Sequence, residues 1–153
     1  MQHIQVRRVA AEDLPAVAAI EARAFPGLNY PYFALRQLFD VHGEYMLAAV
    51  GPEGVHGYVL LAGSGNGRSW LLALAVDPVQ REQGYGRRLL DAVLELSDDR
   101  ELGATYVTVA PGNQPALRMY RAAGFRYAKW CSDHLGPGHD RILMVREAPG
   151  RES

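Results

Sequence analysis

Residues 71–90 read LLALAVDPVQREQGYGRRLL. The run from Leu71 to Val76 carries no charge and is bounded by Pro78, which predicts a strand buried on both faces and ended at the proline. Gly84 and Gly86 lack a Cβ, so the backbone between Arg81 and Arg87 is free to turn through positive φ and to let a bulky ligand approach its amides. From Arg87 to Arg100 the apolar residues Leu89, Leu90, Val93, Leu94 and Leu96 recur at three-to-four spacing, and Arg87, Arg88, Asp91, Glu95 and Asp98 take the other faces. That period predicts an amphipathic helix. Its first-turn N–H groups have no intrahelical partner, and the helix dipole favours negative charge beside them. Strand, turn and helix start together predict an anion site at Gly84 to Arg87, holding a phosphate or pyrophosphate mainly by backbone.

Two phosphate-binding signatures fit this chain poorly. Gly84-Tyr85-Gly86-Arg87-Arg88-Leu89 lacks the third glycine of the dinucleotide fingerprint, and no acidic residue closes the next strand, Thr105 to Val109. Gly63-Ser64-Gly65-Asn66-Gly67-Arg68-Ser69 has arginine for the P-loop lysine and Ala62 where its first glycine belongs, so it reads as a turn between strands.

The spacing does match R/Q-x-x-G-x-G/A, present as Arg81-Glu82-Gln83-Gly84-Tyr85-Gly86. This resembles the acetyl-CoA-binding motif of the GNAT superfamily of N-acetyltransferases, and the likeness extends from Leu74 to Leu90. A glycine pair before a helix is by itself ordinary turn chemistry. A second block, Asn113 to Phe125, changes the weighing. Asn113 suits an N-cap, Pro115 a first turn, and Ala116, Leu117, Tyr120 and Ala123 form one apolar face before Gly124 closes the helix. Asn113, Tyr120 and Gly124-Phe125, in N-x6-Y-x3-G-F order, resemble the second half of the same acyltransferase site.

The element pattern agrees. Ile4 to Val9 reads as a strand, and a helix follows from Glu12 to Phe25, broken by Pro26-Gly27; a second helix runs from Tyr32 to Val41. Tyr45 to Val50 and Val55 to Ala62 form a hairpin, Ser69 to Val76 the next strand, Thr105 to Ala110 another, Asn113 to Ala123 a helix, and Phe125 to Cys131 and Asp140 to Arg146 two closing strands. The order predicts an α/β (α+β) layer architecture. The resemblance implies a GNAT-like mixed, mostly antiparallel seven-stranded sheet flanked by about four helices and splayed between Leu71–Val76 and Thr105–Ala110. It also implies that pantetheine pairs with the main chain of Leu74, Ala75 and Val76. The pyrophosphate would be wrapped by Glu82 to Arg87, with Arg81 and Asn113 completing the acetyl-CoA site.

The implied reaction is transfer of an acetyl group from acetyl-CoA to a primary amine of a small molecule or peptide, by direct attack in a ternary complex with no metal. An N–H of Val76 or a neighbour would polarise the thioester carbonyl, and Tyr120 matches the family's tyrosine acid for the leaving thiolate. A phenol with its ordinary pKa of about 10 stays protonated at neutral pH. In motif style the chain is similar to the ribosomal-protein N-terminal acetyltransferases, but Thr108 stands where those enzymes carry a glutamate base, and Trp70 or its neighbours where histone-type relatives carry theirs. Threonine is no base near neutral pH, so a water relay, a residue from another segment or a substrate amine already partly neutral must substitute. Glu44, Asp133, His134 and Asp140 are the candidates elsewhere, each with a plainer reading as a loop or surface residue. Loss of the base leaves an alternative open, a regulatory or interaction module that binds acyl-CoA with little catalysis.

Substrate choice falls to Phe25 to Tyr32 and Trp130 to Asp140, expected walls of an acceptor pocket. His134-Leu135 replaces the Tyr-Tyr pair common in similar peptide acetyltransferases. Cys131, His134 and His139 have a C-x2-H-x4-H spacing without an evident fourth ligand, so a zinc site is not expected.

At 153 residues the chain suits one acetyltransferase domain over 1–147, with 148–153 expected as a disordered tail. A net charge of −1 supplies no global attraction for nucleic acid or an anionic membrane, so anion binding must be local, with Arg81, Arg87, Arg88, Arg118 and Arg121 near the motif helices. The single cysteine forbids an intrachain disulfide, the N-terminus is too polar for a signal peptide, and no apolar run approaches the roughly 20 residues of a membrane span. These features predict a cytoplasmic protein, and a monomer or homodimer is expected.

Overall fold

The computed structural model describes residues 3–150. Seven strands form one mixed, mostly antiparallel sheet in the order β1-β2-β3-β4-β5-β7-β6: β1 (Gln5–Arg8), β2 (Met46–Gly51), β3 (Gly54–Gly63), β4 (Arg68–Val76), β5 (Ala104–Val109), β6 (Arg126–Cys131) and β7 (Arg141–Arg146). Four helices accompany them, α1 (Leu14–Ala24), α2 (Tyr32–His42), α3 (Tyr85–Asp99) and α4 (Gln114–Ala122). This is the expected α/β architecture. Two compact units divide the chain, one of residues up to Ala62 with Leu72–Leu96, the other of Gly63–Leu71 with the residues from Ser97 onward.

In the first unit β1 pairs antiparallel with β2, Gln5 opposite Val50, and β2 with β3, Met46 opposite Leu60. Leu14, Val17 and Ile20, one stripe of α1, meet Leu35 of α2, Met46 and Ala48 of β2, Tyr58 and Leu60 of β3, and Ala73 and Ala75 of β4 in a buried cluster. Burial of that stripe is what holds an 11-residue helix that would be marginal alone. The helix expected from Glu12 starts later, because Ala11–Asp13 form a single 3-10 turn. There the Asp13 carboxylate accepts the Ala10 amide at 2.7 Å and both arms of Arg7 at 2.7 and 3.1 Å. Tyr45 likewise belongs to a 3-10 turn, Gly43–Tyr45, rather than to β2.

In the second unit β4 and β5 run parallel, and their pairing covers three residues of each strand, Arg68–Trp70 against Ala104–Tyr106. That parallel ladder lies at the starts of the two strands. Trp70 stacks on Tyr106 with ring centres 5.0 Å apart. β5 pairs antiparallel with β7, and β7 with the edge strand β6. Arg146 of β7 grips Asp98 at the end of α3 with two bonds of 3.1 and 2.9 Å.

The expectation of a strand buried on both faces needs correcting for β4. Its residues alternate: Ser69, Leu71, Ala73 and Ala75 are buried, while Trp70, Leu72, Leu74 and Val76 are partly exposed. Ala73 and Ala75 of one face join the core cluster, and Leu72 of the other face packs against that cluster while staying partly exposed. No helix among the described residues is long and apolar enough to cross a membrane. Residues 147–150 carry no regular structure, and 151–153 of the expected tail lie outside the described residues.

Candidate functional site

The glycine turn belongs to the first unit. β4 ends at Val76, and Asp77 then fixes the exit: its amide donates to the His56 carbonyl at 2.7 Å, and its carboxylate takes Arg23 of α1 at 2.8 Å and the Val79 amide at 3.3 Å. A 3-10 turn, Pro78–Gln80, follows, and the Gln83 side-chain amide donates to that of Gln80 at 3.1 Å. Positive φ occurs at Glu82 (67°) and Gly84 (86°). Gly86 does not need it, contrary to expectation, because α3 starts at Tyr85, two residues before Arg87, and takes Gly86 into its first turn. The first intrahelical bond is from the Arg88 amide to the Gly84 carbonyl, at 3.1 Å. The amides of Tyr85, Gly86 and Arg87 are therefore left without an intrahelical acceptor, and open space surrounds the Cα of Gly84. That arrangement fits the pyrophosphate of a CoA-type ligand.

Side chains around the turn are less available than their charges suggested. Tyr85 points into the core, 1% exposed, with its ring edge-on to His56 at 5.4 Å and its hydroxyl without a hydrogen-bond partner. A Cβ at Gly51 would sit 2.6 Å from that hydroxyl, so Gly51 makes room for the Tyr85 side chain. Tyr85 can therefore meet a ligand only through its main chain. Arg87 pairs with Asp91 one turn on at 2.8 Å, and Arg88 donates to the Ile4 carbonyl at 3.1 Å. Arg81, Glu82 and Gln83 are exposed; of the strand residues, Ala75 is buried and Leu74 and Val76 are half-buried.

Asn113, Tyr120 and Thr108 belong to the second unit. The Asn113 side-chain carbonyl accepts the Ala116 amide at 3.2 Å, which caps α4 and leaves the carboxamide N–H groups for other partners. Gly124 closes the helix at φ 100°, and the Phe125 amide returns to the Tyr120 carbonyl at 3.0 Å. This hook sets the Tyr120 ring edge-on to Phe125 at 5.3 Å. Tyr120 is buried, and burial pushes its phenol above the ordinary value rather than leaving it there. It is protonated throughout the neutral range, so it can donate its proton and does not serve as a base. Thr108 is half-buried on β5 opposite Leu143.

Asp133 and Asp140, two of the candidate bases, serve the loop that carries them. Asp140 accepts the Asp133 amide and Asp133 accepts the Gly138 amide, both at 2.8 Å, so this pair ties the loop between β6 and β7. His134 is exposed on that loop, and Glu44 is exposed before β2. Cys131, His134 and His139 do not converge: no group of three potential metal ligands occurs among the described residues.

A buried carboxylate escaped the sequence reading. Glu21 of α1 is 1% exposed; its Oε1 accepts the Tyr58 hydroxyl at 2.6 Å and its Oε2 the Tyr30 amide at 2.9 Å. The signal was present, since Glu21 lies four residues after Val17 and seven after Leu14, on the apolar stripe. Burial pushes its carboxyl above the usual range, against the pull of its two donors. A carboxyl with a raised folded-state pKa carries no burial cost below its unfolded pKa, and the cost grows as pH rises through the folded value. Glu21→Gln should thus gain stability over the wild type on going from acid to neutral pH, measured by urea unfolding. A difference independent of pH would contradict the burial of an ionising group.

Residues 10–125 match the acetyltransferase (GNAT) family. The chain is 32% identical over 142 residues to an uncharacterized protein of Mycobacterium leprae (strain TN), covering 89% of this chain and 38% of that protein. It is 34% identical over 119 residues to the N-alpha-acetyltransferase RimI of Mycobacterium tuberculosis, covering 74% of this chain and 73% of that protein. In three dimensions it is similar to the ribosomal-protein-S18-alanine N-acetyltransferase of Escherichia coli, with a TM-score of 0.84 at 22% identity over 99% of this chain and 98% of that chain.

Proposed function

The chain belongs to the acetyltransferase (GNAT) family, and from that premise we propose that it moves the acetyl group of acetyl-CoA to the α-amine of a peptide by direct attack in a ternary complex. The start of α3 carries this reading, because a turn that holds Gly84 in open space and leaves three amides free is what a pyrophosphate needs. The Val76 N–H or a neighbour would polarise the thioester carbonyl. As the amine nitrogen bonds the acetyl carbon and the carbon–sulfur bond breaks, Tyr120 donates its proton to the thiolate. With Thr108 in place of a carboxylate, water takes the proton whose loss turns the ammonium into an amine, and the second proton, released from nitrogen as the tetrahedral intermediate collapses, returns through water to the Tyr120 phenolate.

The peptide acceptor is supported by the name of the Mycobacterium tuberculosis relative. It is also supported by Phe25, Leu28, Tyr32 and Phe33, which are exposed in and beside the α1–α2 loop and offer apolar contact rather than charge. The reading takes residues 1–147 as one catalytic domain and, with a lone free Cys131, places it in the cytoplasm. A non-catalytic acyl-CoA module is not favoured among relatives named for acetyl transfer.

Thiol release from acetyl-CoA, followed with peptides, polyamines and aminoglycosides as acceptors, tests the proposal. Peptides with a free N-terminus should exceed the other two classes about tenfold in kcat/KM. Equal rates with polyamines would move the acceptor to small amines, and cofactor binding without acceptor-dependent release would end the enzymatic reading.

A further inference from the structure

We propose that Glu21 is a positioning residue for the acceptor amine, acting by holding the loop from Phe25 to Pro31 in place from inside the core. The inference rests on the catalytic reading above, in which that loop contacts the acceptor.

Its basis is the way one carboxylate joins four parts of the first unit. Glu21 stands on α1; Tyr58, which donates to it, is on β3; the Tyr30 amide, which also donates to it, is in the loop. The Tyr30 hydroxyl then donates to the Leu72 carbonyl of β4 at 3.1 Å. Tyr30 is therefore tied at its main chain to the helix and at its side chain to the strand. Little else braces the segment: Gly27 turns at φ 79°, the Leu28 amide reaches the Phe25 carbonyl at 3.2 Å, and the Asn29 side chain lies 3.4 Å from the Tyr30 carbonyl. The exposed apolar residues Phe25 and Leu28 lie on this loop, and Tyr32 and Phe33 follow it at the start of α2.

Packing alone does not ask for a carboxylate here. Leu14, Val17 and Ile20 surround the position along the helix, and an isolated buried charge is costly where leucine would pack. What a leucine cannot do is accept the Tyr30 amide. The Tyr30 phenol is itself held above its ordinary value by burial and by the neighbouring Glu21, so it remains a donor to Leu72 at neutral pH.

The test uses the full chain and three forms: wild type, Glu21→Gln, and the double variant Glu21→Leu/Tyr58→Phe. The double variant replaces the buried polar pair by apolar side chains, which keeps the core foldable and removes the acceptor for Tyr30 without leaving the Tyr58 hydroxyl unpaired. It should raise the KM for a peptide acceptor about tenfold while the KM for acetyl-CoA stays within about twofold, and speed hydrogen exchange at the Tyr30 amide about tenfold. Glu21→Gln should restore all three readouts, because its carboxamide accepts from Tyr30 while donating to Tyr58. Equal rises in both KM values, or unchanged exchange at Tyr30, would overturn the assignment. A wild type that acetylates no amine would overturn the catalytic reading instead, a result distinct from an active double variant with an unchanged acceptor KM.

Discussion

Tyr120→Phe is expected to lower kcat about a hundredfold and leave acetyl-CoA affinity within about twofold, the loss typical of removing a general acid. The substitution is clean. The edge-on contact with Phe125 and the backbone hook from the Phe125 amide involve the ring and the carbonyl, and both survive loss of the hydroxyl. Stability should change little. Because burial raises the phenol's pKa, the wild-type rate should show no fall from tyrosine ionisation at neutral or mildly alkaline pH. Stopped-flow turnover and isothermal titration separate the two effects, and an unchanged kcat would remove Tyr120 from the chemistry.

The largest loss of stability is expected at Gly103, in the turn between α3 and β5. Its φ is 87°, and a Cβ there would overlap the Gly67 carbonyl oxygen, which already accepts the Ala104 amide at 3.1 Å. Gly103→Ala would combine left-handed strain of roughly 1–2 kcal/mol with displacement of a backbone that carries a hydrogen bond, for about 3 kcal/mol in all. For a chain of this size that lowers Tm by about 10 °C. Gly65 provides the control: its φ is 77°, but nothing lies within 4 Å of the added Cβ. Gly65→Ala should cost about 1 kcal/mol, and equal losses in calorimetry at both positions would refute the steric account.

Much of the candidate site was legible because it is local. Asn113 caps α4 and Gly124 closes it, as the spacing of those two residues demanded. The end of β4, the turn and α3 follow one another within 71–90, and the period of Leu89, Leu90 and Val93 located the buried side of α3, where all three are fully buried. The helix start was read two residues late because glycine at a turn suggests positive φ, whereas Gly86 is helical and Glu82, an unpromising residue for that conformation, adopts it.

What was not legible depends on partners far along the chain. Arg88 was one of several charges near the motif helices, and only the fold brings the Ile4 carbonyl within its reach; Tyr85 lay in the motif, and only the fold turns its side chain toward His56 in the space that Gly51 leaves. Glu21 broke the apolar stripe of α1 for a reason held by Tyr58 and Tyr30. The sequence by itself determined the order of elements, the two motif blocks and the turn that precedes α3, since capping, periodicity and glycine freedom act within a few residues. Only the tertiary structure decided which polar side chains are spent inside the fold, because a buried hydrogen bond is set by whichever distant group fills the neighbouring space.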